Sequence, residues 1–311
     1  PGRAATTSPP RTSPSPSTRA TSTATSGSGN QSYVWVYRGL GDGSFVLVHE
    51  AAGTVFDAHA GCFAPNAVAL ADLDGDGRDD VVVTDAFPAA CAAGEACPTT
   101  DGEPDLRPGR ADVVAWVALS GPGGAPGAWR SVRLSGADGL LDGDNLGLAV
   151  TDLDRDGDLD LAVCGGLRDE RGTGIAFLRN DGHGTFREHA VRATAYNRRF
   201  AAPLDADQDG VGDVLVVGGD GRRGVDGAQG YSVAEVFMGG SDAPWMAWST
   251  GPEPFAGIPD ANPGRVACGD FDGDGRPDFA VDQSFHAKER FENDQGDGLV
   301  EGVRIYVNRS Q

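Results

Sequence analysis

The sequence predicts an all-β fold assembled from repeated four-stranded sheets, a β-propeller architecture, and three observations carry that expectation. A run of alternating aspartates that turns into valine-rich sequence occurs four times along the chain. Glycine accounts for 47 of the 311 residues while aromatic residues make up only 7%, a balance that suits many short strands joined by turns. No helical period of apolar residues persists in any stretch.

Residues 1–30 differ in composition from the rest of the chain. They are almost wholly Pro, Ser, Thr, Ala and Gly, as in Thr12-Ser-Pro-Ser-Pro-Ser-Thr18, with no large apolar residue to drive a core. Such a segment is expected to be an extended, polyproline-like tail rich in hydroxyls for O-glycosylation. Its composition resembles the Ser-Pro and hydroxyproline-rich stretches of plant and green-algal wall and surface glycoproteins. The tail is therefore read as an assembly element of an extracellular filament or matrix.

From residue 31 to 311 a unit recurs. An apolar strand such as Ala67-Val-Ala-Leu-Ala71 leads into the first aspartate loop, and a second strand, Val81-Val-Val-Thr84, leaves it. A third strand, Val113-Val-Ala-Trp-Val-Ala-Leu119, and a fourth, Trp129-Arg-Ser-Val-Arg-Leu134, complete the unit after a variable excursion. Two further units repeat the order of strands. Three strands close the chain and two, Ser32–Arg38 and Ser44–His49, begin it. Four-stranded repeats of roughly 40 to 50 residues are the pattern of propeller blades.

The loops have the form D-x-D-x-D-G-x-x-D. Positions 1, 3, 5 and 9 are Asp72, Asp74, Asp76 and Asp80; Asp152, Asp154, Asp156 and Asp160; Asp205, Asp207, Asp209 and Asp213; and Asp270, Asp272, Asp274 and Asp278. Glycine holds position 6 in every copy, and the backbone carbonyls of Arg78, Asp158, Val211 and Arg276 stand at position 7. Carboxylates this close repel one another unless a cation sits among them, and hard oxygen ligands select Ca²⁺ over metals that prefer sulfur or imidazole. Four Ca²⁺ sites are expected. An EF-hand is excluded because position 12 is valine in each copy, where that motif needs a bidentate Glu, and because a strand follows instead of a helix.

These loops, together with the turns Asn180-Asp-Gly-His-Gly-Thr-Phe186 and Gly39-Leu-Gly-Asp-Gly-Ser-Phe45, resemble the FG-GAP/VCBS repeats of integrin α-subunit-like propellers. The resemblance implies a structural Ca²⁺ in each loop and an extracellular role in adhesion or in carbohydrate or protein recognition. The chain departs from it in blade number, since such propellers usually close with seven blades. The units counted here predict a compact ring of about five, with a truncated longer propeller or completion by a neighbouring chain as the alternatives.

The remaining features narrow the function. A net charge of −21 argues against nucleic acid and anionic membrane as partners, and there is no apolar run long enough to span a bilayer. The chain opens on Pro without a signal peptide, which is read as a processed or partial chain and not as a cytosolic one. Sequons at Asn30 and Asn308 are compatible with secretion. Of five cysteines, Cys91 and Cys97 could close a small disulfide with Cys62 as competitor, whereas Cys164 and Cys268 lie beside strands and are expected to be buried and inert.

The five histidines are scattered and no nucleophile motif occurs. Asp142, Asp144, Glu289, Glu292 and Asp294 are the only carboxylates outside the loops that suggest polysaccharide cleavage. Trp245, Trp248, Phe285 and Phe291 are the candidates for stacking on sugar if the chain is a propeller lectin. The reading that absorbs most of these features is a non-enzymatic, calcium-stabilised extracellular propeller that adheres or self-associates through a glycosylated tail.

Overall fold

A computed structural model describes residues 18–24, 32–52, 65–85, 99–100, 103–104, 113–133, 145–166, 173–194, 197–219, 231–240, 242–249, 253–254, 261–287 and 298–309. The strands β1 (Thr18–Ala24), β2 (Ser32–Gly39) and β3 (Phe45–Ala52) form an antiparallel N-terminal sheet. Blade A is β4 (Pro65–Ala71), β5 (Asp80–Asp85), β8 (Val113–Ala118) and β9 (Arg130–Arg133), with a small ribbon of β6 (Thr99–Thr100) and β7 (Glu103–Pro104) in its excursion. Blade B is β10 (Asn145–Thr151), β11 (Asp160–Gly166), β12 (Thr173–Asn180) and β13 (Phe186–Thr194).

Blade C is β14 (Asn197–Leu204), β15 (Asp213–Gly219), β16 (Tyr231–Met238) and β17 (Trp245–Ser249), with β18 (Glu253–Pro254) added beside β16. Blade D is β19 (Ala261–Gly269), β20 (Asp278–Ala287) and β21 (Gly298–Tyr306). A single 3₁₀ turn at Pro122–Gly124 is the only helical element among the described residues.

The chain is thus an all-β propeller arrangement of four aspartate-loop blades preceded by a three-stranded sheet, where about five equivalent blades were expected. The N-terminal sheet has one more strand than the sequence showed. Thr18–Ala24, inside the segment read as tail, pairs with β2 in the register Ala20↔Val36. That strand is recruited by the free backbone groups of β2, a cause that leaves no hydrophobic signature in its own sequence. Residues 1–17 and 25–31 lie outside the described residues.

Neighbouring sheets pack face to face in chain order. Val34 and Val36 bury against Val81, Val83 and Trp116. Val82, Ala115 and Val117 of blade A meet Leu161, Val163, Ala176 and Leu178 of blade B. Ala162, Ile175 and Phe177 of blade B meet Val214, Val216 and Phe237 of blade C, where the Phe177 and Phe237 rings stand 5.8 Å apart. Leu215, Val217 and Val236 of blade C meet Phe279 and Val281 of blade D. Alternate residues of β5, β11 and β15 therefore bury in opposite seams. This explains why those strands read as unbroken apolar runs and not as alternating ones.

Candidate metal centres at the blade seams

Each aspartate loop joins the first strand of a blade to its second and is built by its own side chains. The position-1 carboxylate accepts the position-6 N–H, at 2.8 Å for Asp72 with Gly77, 3.0 Å for Asp152 with Gly157, 3.1 Å for Asp205 with Gly210 and 2.9 Å for Asp270 with Gly275. That bond curls the chain tightly enough to require left-handed backbone at position 6, where φ lies between 81° and 95° and glycine is the residue with no Cβ penalty. Position 4 is left-handed as well, filled by Gly75 and Gly273 but also by Arg155 (φ 62°) and Gln208 (φ 63°).

The structure gathers positions 1, 3 and 9. Asp72, Asp74 and Asp80 each bring a carboxylate oxygen within 4.8 Å of the others, as do Asp152, Asp154 and Asp160, Asp205, Asp207 and Asp213, and Asp270, Asp272 and Asp278. With Ca–O bonds of about 2.3–2.6 Å, two oxygens on opposite sides of one ion stand about 5 Å apart, so these clusters have the dimensions of a calcium shell. The Oδ1 atoms of Asp154 and Asp205 are buried with no hydrogen-bond partner. A buried carboxylate oxygen left bare is costly, and a cation among the triad would satisfy it.

Position 5 has another job. Asp76, Asp156, Asp209 and Asp274 each accept the N–H of position 7, from Arg78, Asp158, Val211 and Arg276 at 2.8–2.9 Å. The guanidinium groups of Arg78 and Arg276 also pair with Asp76 and Asp274. None of these four carboxylates is in the clusters, so the structure brings together three of the four aspartates expected in each loop. The expected carbonyl ligands at position 7 belong to residues tied through their N–H groups to position 5.

The position-9 aspartates are buried and brace the blade. Asp80 accepts the Leu73 N–H at 2.9 Å and the Ser120 N–H at 2.6 Å; Asp160 accepts Leu153 at 2.9 Å and Asn180 at 2.8 Å. Asp213 accepts Ala206 at 2.7 Å and Gly239 at 2.9 Å; Asp278 accepts Phe271 at 2.9 Å and Asn308 at 2.8 Å. One side chain thereby pins the loop to the end of the third strand. Burial, with neighbouring carboxylates adding to it, raises Asp80, pushes Asp160 up to about 7 and Asp213 up to about 6. Asp278 is lowered, because the Asn308 N–H outweighs its burial.

The loops also clasp the next blade. The position-2 carbonyl of loop A, on Leu73, accepts the Asn180 side-chain amide at 2.8 Å and the Gly184 N–H at 3.1 Å from blade B. That of loop B, on Leu153, accepts the Gly240 N–H of blade C at 2.7 Å, and that of loop C, on Ala206, accepts the Asn308 amide of blade D at 2.9 Å. Arg179 pairs with Asp154 within blade B, Nε to Oδ2 at 2.9 Å, and donates across the seam to the Gly240 carbonyl of blade C at 3.4 Å. Sequence reading missed Asn180, Arg179 and Asn308 as seam residues; their shared place at the end of a third strand was the available signal.

Other candidates separate. Asn308 donates its Nδ2, the atom a glycan would occupy, to Ala206 inside a seam, so the folded blade does not present that sequon; Asn30 lies outside the described residues. Cys164 is buried, as expected, whereas Cys268 is only part-buried; burial pushes the Cys268 thiol up to about 11. Cys62, Cys91 and Cys97 lie outside the described residues, as do Asp142, Asp144, Glu289, Glu292, Asp294 and Phe291.

Trp245 and Trp248 are on strand β17, and Phe285 is on β20. Trp248 meets Phe279 and Tyr306 edge-on, at 5.8 and 6.2 Å, beside a cavity of about 430 Å³ between blades C and D. Among the described residues no helix is long and apolar enough to cross a membrane.

Comparison with known families finds FG-GAP-like repeats at residues 23–83 and 152–216. The first stretch runs from β1 through loop A into β5, and the second from loop B through loop C into β15. Among curated proteins none matches. The chain carries FG-GAP-like repeats in a propeller arrangement, as the resemblance of its loops and turns implied.

Proposed function

We propose that this chain of FG-GAP-like repeats is a non-enzymatic, calcium-stabilised propeller that serves as a structural or adhesive subunit outside the cell. The observation that carries the reading is where the aspartate clusters lie. Each loop is tied by its position-9 carboxylate to its own third strand, and three of the loops are held by the following blade through a position-2 carbonyl. An ion at such a point supplies charge neutralisation that stiffens a seam between blades, a role that calls for no reaction. Extracellular calcium modules commonly bind at ~10⁻⁴ to 10⁻³ M, so sites of this kind fill outside the cell and empty inside it. The Pro/Ser/Thr-rich tail, with O-linked glycans on its hydroxyls, serves as the assembly element.

The test is thermal unfolding of the full chain with calcium, with magnesium and after chelation. Calcium raises the melting temperature in a saturable way and magnesium does so weakly, because Mg²⁺ demands tighter octahedral geometry and sheds water reluctantly. Identical melting in calcium and chelator refutes the reading.

One observation favours carbohydrate binding as a second reading. The cavity between blades C and D is walled by Trp248, Phe279, Tyr306 and Met238 and reaches Asp207 of loop C, which combines an aromatic platform with a calcium-dependent polar edge. A glycan array probed in calcium, with Trp248→Ala as control, separates it from the structural role.

A further inference from the structure

We infer that Arg179 is the resident counter-cation of loop B, so that loop B binds calcium more weakly than loops A, C and D and the B–C seam stays clasped when the ion is absent. The inference rests on the calcium reading above and sets one of its four sites apart.

The loops are closed by matching bonds at positions 1, 5 and 9, but they differ at position 3. Asp74, Asp207 and Asp272 each accept the position-5 N–H of their own loop, from Asp76, Asp209 and Asp274 at 3.2 Å. Asp154 does not. Its Oδ2 stands 2.9 Å from Arg179 Nε, and its Oδ1 is buried without a hydrogen-bond partner. The pair is shielded from solvent, with 10% of the Asp154 side chain and 17% of the Arg179 side chain exposed. Arg78 and Arg276, by contrast, are more exposed and form their ion pairs with position 5, outside the clusters.

Arg179 is also the exception among its counterparts. The residue whose N–H reaches the position-9 carboxylate is preceded by Leu119, Arg179, Met238 or Val307 in blades A to D, so three of the four are apolar. Leu119 lies where a Cβ on Gly184 of blade B would meet it. Arg179 takes the same place towards Gly240 of blade C, with Nη2 3.4 Å from the Gly240 carbonyl and 3.2 Å from His189 Nε2. The two glycines are equivalent, since each donates its N–H to the position-2 carbonyl of the preceding blade's loop. One guanidinium therefore ties loop B to blade C with no ion involved.

In the empty loop this charge offsets the repulsion among Asp152, Asp154 and Asp160 that calcium would otherwise relieve, which reduces what the ion gains. In the filled loop it stands one carboxylate away from the ion as a like charge. Calcium affinity follows ligand charge and site rigidity, and the shared closing bonds make rigidity common to the four loops, so charge decides. A single neighbouring charge shifts a carboxylate's proton affinity by about 10- to 10³-fold, and a divalent ion feels it at least as strongly. Loop B then lies at the weak end of the ~10⁻⁴ to 10⁻³ M range, about tenfold above the others. The Arg155 guanidinium approaches Gly210 of loop C, but Arg155 is exposed and its charge is screened by solvent.

The experiment is calorimetric titration of the full chain with calcium, paired with melting in chelator, for the parent, Arg179→Met, Arg179→Lys and Asp154→Asn. The parent binds in two classes, with one site about tenfold weaker than the rest. Arg179→Met, which installs the residue of blade C, strengthens the weak site until the classes merge, lowers the melting temperature in chelator and enlarges the gain from calcium. Arg179→Lys retains the charge and keeps the two classes. Asp154→Asn loses the weak class alone, a result that stands even where the methionine variant does not fold. A single class in the parent overturns the inference, as does loss of a strong site in Asp154→Asn. So does an Arg179→Met chain whose weak site is unchanged or weaker still, which would make Arg179 a support for Asp154 and not a competitor of the ion. Each of these leaves calcium stabilisation intact, whereas a parent that binds no calcium and melts alike in calcium and chelator overturns the calcium reading and this inference with it.

Discussion

Replacing Asp160 with alanine removes the brace of blade B and one ligand of its aspartate cluster at once, and the two contributions can be separated. Asp160 is fully buried and accepts the N–H groups of Leu153 and Asn180. Without the carboxylate two buried donors lose their acceptor, at about 1–3 kcal/mol each, so the metal-free variant is destabilised by about 2–6 kcal/mol. For a chain of this size that lowers the melting temperature by at least about 3 °C. The calcium contribution is smaller: at about 2 mM ion and a dissociation constant of ~10⁻⁴ to 10⁻³ M, one site adds about 0.7–1.8 kcal/mol. Scanning calorimetry of parent and Asp160→Ala in chelator and in calcium reads both quantities. The deficit persists in chelator, and the gain on adding calcium shrinks by the share of one site. A variant as stable as the parent in chelator would refute the bracing role, and an undiminished calcium gain would refute the assignment of Asp160 to a metal site.

The remaining predictions concern protons and space. Without metal, Asp160 and Asp213 titrate near 7 and 6 when folded, above the ordinary value of 3.8, so between about pH 4 and pH 7 the folded state holds protons that the unfolded state has released. Metal-free stability therefore falls as pH rises through that window, calcium reverses the loss, and calorimetry at pH 6 in buffers of different ionisation enthalpy detects protons released on calcium binding; metal-free stability that rises across the window contradicts this. A Cβ on Gly239 would lie 2.3 Å from the Gly212 carbonyl oxygen and 2.7 Å from that of Leu153, so Gly239→Ala forces the B–C seam apart and costs about 1–3 kcal/mol, measured by denaturant unfolding. An alanine variant as stable as the parent would show that the seam is looser than described.

Much of this protein was legible without coordinates because the relevant interactions are local. The loops are closed by bonds between residues two to five apart, such as Asp72 with Gly77 and Asp76 with Arg78, and a motif carries that information wherever it occurs. The all-β class, the strand order within a unit and the aspartate clusters follow from the same short-range patterns. The strand Thr18–Ala24 was not legible, since its cause is the edge of β2 and not its own residues. Nor was the division of labour among the aspartates. Position 5 reads like positions 1 and 3 in sequence, but its carboxylate turns to the backbone of position 7, whereas position 9 reaches the third strand.

What the sequence by itself determined is the repeated loop and the chemistry of its side chains, for four acidic turns in one register offer clustered hard oxygen atoms wherever they are placed. What only the tertiary structure decided is how those turns are connected. The bond from Asn180 to Leu73 joins residues 107 apart, and that from Asn308 to Ala206 joins residues 102 apart. Seams between blades arise from the angle at which successive sheets stack. That angle is set by packing over the whole molecule, so a reading of one repeat at a time could count the blades only roughly.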